Sequence, residues 1–235
     1  MDYEPEAAAR LALAMEGSVS DRLRIISEDF RTRLSDYTRA IDRLVERLRS
    51  SDAIAGIPDV GETFPDFILP DAHGRLWRLA DALLGGPLVL SFHRGYWCDF
   101  CHLNMTALAE LAPQLASLGC GIVAISPQNA ENAGKLARDA GAEFPVLCDV
   151  GLAVSTVLGL TYVIDDALRH ELAVLQVDLD EANLGNGSLM PITASFVLAR
   201  NGVIMARHVD PDPRLRMGGE AILQAASELQ LAARS

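Results

Sequence analysis

The chain has 235 residues, half of them hydrophobic and 22% charged, the balance of a globular protein with a full core and room for an appendage. Its formal net charge of −12 argues against nucleic acid or an anionic membrane surface as partner, since both call for clustered Lys and Arg. Four cysteines are too few for a disulfide scaffold, and in a reducing compartment a close pair does redox or metal chemistry.

The N-terminus, MDYEPEAAARLALAMEG, has no basic leader, and Arg10 and Glu16 cut its apolar run, so it does not read as a signal peptide. The most apolar later stretch, LLGGPLVLSF, is too short and too broken by Gly85, Gly86 and Pro87 to span a bilayer. The expectation is a cytoplasmic protein with no membrane partner. A short helix is expected from Glu6 to a stop at Gly17. Ser18 and Asp21 resemble a capping box for the next helix. From there Leu23, Ile26, Phe30, Leu34, Tyr37, Ile41, Leu44 and Leu48 recur at three- and four-residue steps, almost a heptad seam. This stripe suits either a helix docked on its own domain or a dimerisation arm, and a homodimer is expected.

SSDAIAGIPDVGETFPD carries Gly, Pro, Ser and Asp without periodicity and reads as a linker. It divides the chain into a helical arm over 1–57 and an α/β domain over 58–235. DFILPDAHGRLWRL reads as two short strands around His73-Gly74, and PLVLSF as a strand buried on both faces. Leu103, Leu108, Leu111, Leu115 and Leu118 mark a helix bent at Pro113. GIVAIS is a second buried strand, a polar helix follows over 130–140, and FPVLCD is a third strand. Between Thr161 and Met190 the pattern supports only a helix over Asp165 to Val174 and a loop through EANLGNGS. ASFVLA and VIMARHV flank Asn201-Gly202, a strong hairpin signal, and a last amphipathic helix runs from Glu220 to Ala233. The sum is a mixed sheet flanked by helices.

The chemistry lies in SFHRGYWCDFCHLNM. Cys98 and Cys101 form C-x-x-C, and His102 extends it to C-x-x-C-H. That pattern fits a redox dithiol, half of a zinc site or a haem attachment. Haem attachment requires export, for which there is no targeting segment. Zinc needs a second ligand pair, and Cys120 and Cys148 stand alone in or beside apolar strands. No metal and no cofactor are expected. The dithiol directly follows a buried strand and opens a helix, so first-turn N–H groups and the helix dipole favour thiolate. Arg94 is placed to hold a thiolate or polarise a peroxide oxygen. Trp97, and less so Tyr96, would cover the sulfur, His93 reads as a structural histidine, and Asp99 opposes thiolate formation. Cys98, at the helix end, is favoured as the exposed nucleophile.

Five segments in order, VGETFPDFILPDAHGRLWRLADAL, PLVLSFHRGYWCDFCHLNMTAL, GIVAISPQ, FPVLCDVG and MPITASFVLARNGVIMARHVDPDPRLR, resemble peroxiredoxin-like proteins of the alkyl hydroperoxide reductase and thiol-specific antioxidant group. The likeness runs from about Asp59 to the C-terminus. It implies a thioredoxin-like mixed sheet with the dithiol on the helix after the second core strand. It also implies that Pro191 is the cis-proline facing the dithiol, with Met190 and Thr193 flanking the sulfur. The chain departs from the family pattern P-x-x-x-T/S-x-x-C in both registers. Ending at Cys101, the pattern places Arg94 at the proline and Cys98 at the threonine; ending at Cys98, it places Ser91 and Gly95 there. The family's later arginine has Thr193 near its place, which leaves Arg207, Arg214 and Arg216 as stand-ins.

The resemblance implies a thiol peroxidase in which one cysteine attacks a hydroperoxide and the other resolves the sulfenic acid, with a thioredoxin-like reductant as partner. Which cysteine attacks is open, since the motif register favours Cys101. The alternatives are a thioredoxin-like protein disulfide reductase and a redox sensor with little turnover.

Overall fold

The computed structural model describes residues 7–234. The elements in order are α1 (Ala7–Ala14), α2 (Val19–Arg33), α3 (Ser35–Ser50), β1 (Ile68–Pro70), β2 (Leu76–Arg78), α4 (Leu79–Leu83), β3 (Leu88–Phe92) and α5 (Asp99–Ser117). They continue with β4 (Gly121–Ser126), α6 (Ala130–Asp139), β5 (Val146–Cys148), α7 (Ala153–Val157), β6 (Thr161–Val163) and α8 (Asp166–Val174). The last are α9 (Leu179–Ala182), β7 (Leu189–Pro191), β8 (Ala194–Leu198), β9 (Ile204–Val209) and α10 (Gly219–Arg234).

The apolar runs become the middle of a mixed sheet of order β5-β4-β3-β8-β9. β3, β4 and β5 are parallel, each joined to the next by a crossover through a helix. β8 lies antiparallel to β3, and β9 antiparallel to β8. Every residue of β3 is buried, which accounts for its unbroken apolar sequence. The β8–β9 turn follows the Asn201-Gly202 signal: Gly202 takes φ +82°, which its missing Cβ permits, and donates to the Ala199 carbonyl at 2.8 Å.

Ser18 caps α2 as its spacing predicts, accepting the Asp21 N–H at 3.1 Å. The expected start of the first helix at Glu6 lies outside the described residues. The expected single stripe is divided, because the backbone leaves the helix at Leu34 (φ −122°, ψ 52°). The two halves then serve different partners. Leu23 and Ile26 pack with Cys98, Phe100, Cys101 and Leu103, and Tyr37, Ile41, Leu44 and Leu48 join the main core. α2 contacts α5, and α3 contacts α8. The stripe is covered by its own chain, the docked arrangement of the two it suits. The linker after α3 is pinned to the sheet, since Arg207 Nη1 donates to the Ile57 and Pro58 carbonyls at 2.8 Å each.

Residues 161–191 hold more structure than their pattern suggests. The expected helix appears as α8, one residue shorter because Asp165 is its cap, with α9 following. β6 and β7 form an antiparallel pair in register Thr161↔Pro191 to Val163↔Leu189. Strands of three residues are too short to display an alternation. Among the described residues no helix is long and apolar enough to cross a membrane.

Candidate active site

The site begins where β3 ends. His93 N–H donates to the Ile125 carbonyl at 2.9 Å, extending the sheet pairing by one residue. The chain then turns through Gly95 at φ +143°, where a Cβ would lie 2.9 Å from Gln128 Cδ and 3.0 Å from Trp97 Nε1. Only glycine permits so close a passage. Cys98 is the residue before α5, and its carbonyl accepts from Cys101 N–H at 2.8 Å and His102 N–H at 3.0 Å. Both sulfurs therefore sit at the positive end of a 19-residue helix.

Both are also buried, Cys98 at 2% exposure and Cys101 at 0%. Arg94, expected near the sulfur, is buried with them rather than solvated, and its Nη2 donates to Cys98 Sγ at 3.2 Å. Its backbone N–H points at Cys101 Sγ at 3.4 Å. The guanidinium lies over the Trp97 ring, 5.0 Å from its centroid. The phenols of Tyr37 on α3 and Tyr162 on β6 lie against it. Of the three candidate arginines, Arg216 reaches the dithiol, with Nη2 3.7 Å from Cys101 Sγ. Arg207 is held by the linker, and Arg214 by Asp42 and Asp212.

Burial works against charge on either sulfur, but the pair resolves asymmetrically. Burial and a hydrogen bond donated to Cys101 push the Cys98 thiol well above its ordinary value. Burial opposes ionisation of Cys101 too, yet the bond from Cys98, the nearby His93 and the Arg216 guanidinium together bring it well below. Charge on the pair is therefore favoured on Cys101 over Cys98. Asp99, half-buried in the first turn, is a neighbour of the pair as expected.

A cavity of about 440 Å³ opens beside the helix end. Arg94, Trp97, Cys98 and Asp99 line it on one side, and Phe30, Leu34 and Tyr37 on another. Cys101 is not part of its wall. Tyr96 is held structurally, its N–H donating to Gln128 Oε1 at 2.5 Å and its hydroxyl to Asp139 at 3.0 Å.

The peptide bond before Pro191 is trans, which corrects the expected cis-proline. Pro191 instead ends β7 in extended pairing with Thr161, and Ile192 N–H donates to the Leu160 carbonyl at 2.6 Å. Trans is the lower-energy form, and this pairing accommodates it. Neither Pro191 nor Thr193 lines the cavity, although both are buried. Met190 Sδ accepts from Asn183 Nδ2 at 3.2 Å. His102 Nε2 donates to the Tyr96 carbonyl at 2.5 Å, facing the loop before α5. Cys120 and Cys148 lie in two other core clusters, where burial raises each to about 11. The role of Tyr162 and the reach of Arg216 carry no local signal. Tyr37 stands in the sequence only as a member of the arm's stripe.

Known proteins give the arrangement its relatives. Residues 60–207 match the AhpC/TSA family. The thiol-disulfide oxidoreductase ResA of Geobacillus thermodenitrificans is 37% identical over 91 residues, 38% of this chain and 51% of that one. A peroxiredoxin of Methanothermobacter thermautotrophicus is 29% identical over 112 residues, 45% of this chain and 53% of that one. The chain thus spans about half the length of these relatives. The crystal structure of peroxidoxin BcpB from Mycobacterium tuberculosis superposes with a TM-score of 0.57 at 23% identity, covering 75% of this chain and 98% of the other. Reduced Prx3 of Vibrio vulnificus in complex with hydrogen peroxide gives 0.57 at 20%, covering 72% and 99%. At such identities the likeness speaks for the fold, which is the thioredoxin-like peroxiredoxin fold. With the family's segment spanning more than half of its length, this chain belongs to the AhpC/TSA family.

Proposed function

We propose that the protein is a thiol peroxidase working through Cys98 and Cys101. The observation that carries this reading is the position of Cys98 Sγ, in the wall of a cavity and 3.2 Å from a buried guanidinium, with Cys101 one helical turn away. Cys98 Sγ attacks the terminal oxygen of a hydroperoxide while its proton passes to Cys101. The S–O bond forms as the O–O bond breaks, so sulfur is oxidised by two electrons to a sulfenic acid and the peroxide is reduced. The departing alkoxide takes the proton from Cys101 and leaves as the alcohol. Cys101 thiolate then attacks the sulfenic sulfur, closing the disulfide and expelling hydroxide, which solvent protonates to water. Arg94 stabilises the charge that grows on the peroxide oxygens. A thioredoxin-type dithiol returns the pair to its reduced form by two exchanges. Four free cysteines suit a reducing setting such as the cytoplasm.

The test treats each single Cys→Ser variant with hydroperoxide and maps sulfenic acid by mass spectrometry. Cys101→Ser is expected to accumulate sulfenic acid on Cys98, more slowly for want of a proton acceptor. Cys98→Ser is expected to lose oxidation, because Cys101 does not line the cavity. Sulfenic acid on neither residue removes the peroxidase reading. A second reading, exchange with protein disulfides, is favoured by the similarity to ResA. The burial of Cys98 at 2% weighs against it, since a protein disulfide has to bring its own sulfur into bonding distance. Fast reduction of insulin with poor peroxide consumption reverses that preference.

A further inference from the structure

The cavity at the dithiol is far larger than hydrogen peroxide needs. Its volume of about 440 Å³ falls in the range of small-molecule sites, whereas a water-sized molecule occupies roughly 30 Å³ of liquid. Two walls make up the excess. One is the turn between α2 and α3, which brings Phe30, Leu34 and Tyr37 to the cavity from outside the family-matched segment. The other is the end of α8 and the stretch after it, where Leu172, Leu175, Gln176 and Val177 face it. These side chains are apolar but for the exposed Gln176 and the Tyr37 hydroxyl, which is turned to Arg94. Apart from the half-buried Asp99 beside Cys98, the charged groups divide by depth. Arg94 is the one basic residue of the lining, and it is buried among Cys98, Tyr37 and Tyr162. Asp178 and Glu181 are exposed at the opening, and neither is in an ion pair among the described residues.

Resting on the peroxidase reading of this site, we propose that the cavity selects the organic half of its substrate by polarity and charge. It takes a hydroperoxide bearing a bulky, uncharged apolar group and turns away one bearing a carboxylate. The hydroperoxide end meets Arg94 and Cys98 at the base, and the apolar group fills the space between the α2–α3 turn and the segment after α8, released from water there. A carboxylate on that group would approach Asp178 and Glu181 at the opening, against a chain of net charge −12. The two N-terminal helices therefore build a substrate wall on the family's core.

The test compares rates of peroxide consumption for hydrogen peroxide, cumene hydroperoxide and cumene hydroperoxide carrying a ring carboxylate, with sulfenic acid on Cys98 followed in parallel. Cumene hydroperoxide is expected to exceed hydrogen peroxide in kcat/KM by about tenfold, from the apolar area it buries. It should exceed its carboxylated analogue by a similar factor of about ten at low salt, shrinking as salt screens the exposed rim. The double variant Asp178→Asn, Glu181→Gln should close most of the gap between the neutral and carboxylated substrates; Asn still caps α9. Equal rates for the three peroxides, with sulfenic acid forming on Cys98, overturn the selectivity and leave the peroxidase reading standing. A charge gap that the double variant leaves unchanged also overturns it. No oxidation of Cys98 by any of them overturns the peroxidase reading itself.

Discussion

Tyr37, on a helix outside the family-matched segment, holds its phenol against the buried guanidinium of Arg94. Arg94 in turn touches Cys98 Sγ, so a residue of the N-terminal arm acts on the dithiol through one intermediary. Tyr37→Phe keeps the ring and its edge-to-face contact with Phe30 (centroids 5.8 Å apart) and removes only the hydroxyl. Loss of the polar hydroxyl beside the charged guanidinium should slow Cys98 oxidation by about threefold to tenfold. As a positioning residue, Tyr37 should also raise the midpoint of the pH profile for thiol alkylation. Unchanged rate and midpoint would show the phenol to be packing alone.

The lowered Cys101 thiol makes a prediction about pH. Cys101 is held well below the ordinary thiol value by Cys98, His93 and Arg216, against the effect of burial. Reaction with peroxide should therefore persist below pH 8 and fall only as pH drops through that lowered value. Linkage gives the sign for stability. A depressed folded value contributes stability that is fully present above the unfolded thiol value and is lost as pH falls through the folded one. Reduced wild type minus Cys101→Ser, measured by urea unfolding from pH 5 to pH 9, should show a difference that grows with pH. A flat difference would mean that Cys101 is protonated in the folded protein.

Cys120 and Cys148 should be silent in the same window. Burial raises each to about 11. At pH 8 only about 0.1% of such a thiol is thiolate, the form that reacts. Iodoacetamide on the native protein should label the dithiol and leave both of these unmodified until the chain unfolds. Comparable labelling of all four cysteines at pH 8 would contradict the burial of the two.

The fold and the dithiol were legible because their signals are local. The β3 segment needs no partner to read as a doubly buried strand, and C-x-x-C right after it fixes two sulfurs at a helix end. Arg94, four residues before Cys98, follows from the same local geometry, though its burial does not. Arg216 was only one of three candidates, because the loop after β9 decides its reach, where Pro213 and Leu215 carbonyls hold its Nη1. The break at Leu34 has no glycine or proline to announce it; it exists because α5 and α8 present two separate surfaces to one stripe. Pro191 shows the converse. A position inferred from likeness took the trans form because β6, itself invisible in the sequence, pairs with it.

Gly95 is the tightest point of the site backbone. Gly95→Ala would force a β-carbon to within 2.9 Å of Gln128 Cδ and 3.0 Å of Trp97 Nε1, at φ +143°. A non-glycine residue in that region costs about 1–3 kcal/mol before any clash. The variant should lower the midpoint of chemical unfolding accordingly and displace Trp97 from Arg94, which a shift in tryptophan fluorescence would report. A variant with wild-type stability and fluorescence would show that the loop is free to rearrange.

Arg22 fastens the arm over the dithiol. It is 1% exposed on α2, and Nε and Nη2 donate to the Ala12 and Leu13 carbonyls at 2.8 and 3.1 Å. Those are last-turn carbonyls of α1, which have no partner within their own helix. Nη1 pairs with Glu110 on α5 at 2.6 Å, but Glu110 is half-exposed, so that pair contributes little. Arg22→Met keeps much of the packing volume and strands the two carbonyls, a loss of about 2 kcal/mol. Glu110→Gln should cost less than about 1 kcal/mol. Because Ala9, Ala12, Leu23 and Ile26 pack with Cys98 and Cys101, loosening α1 should also uncover the sulfurs. Alkylation of the dithiol in Arg22→Met should then accelerate under conditions where the protein remains folded, while Glu110→Gln alkylates at the wild-type rate. Equal alkylation rates in all three proteins would show that α1 and α2 do not govern access to the sulfurs.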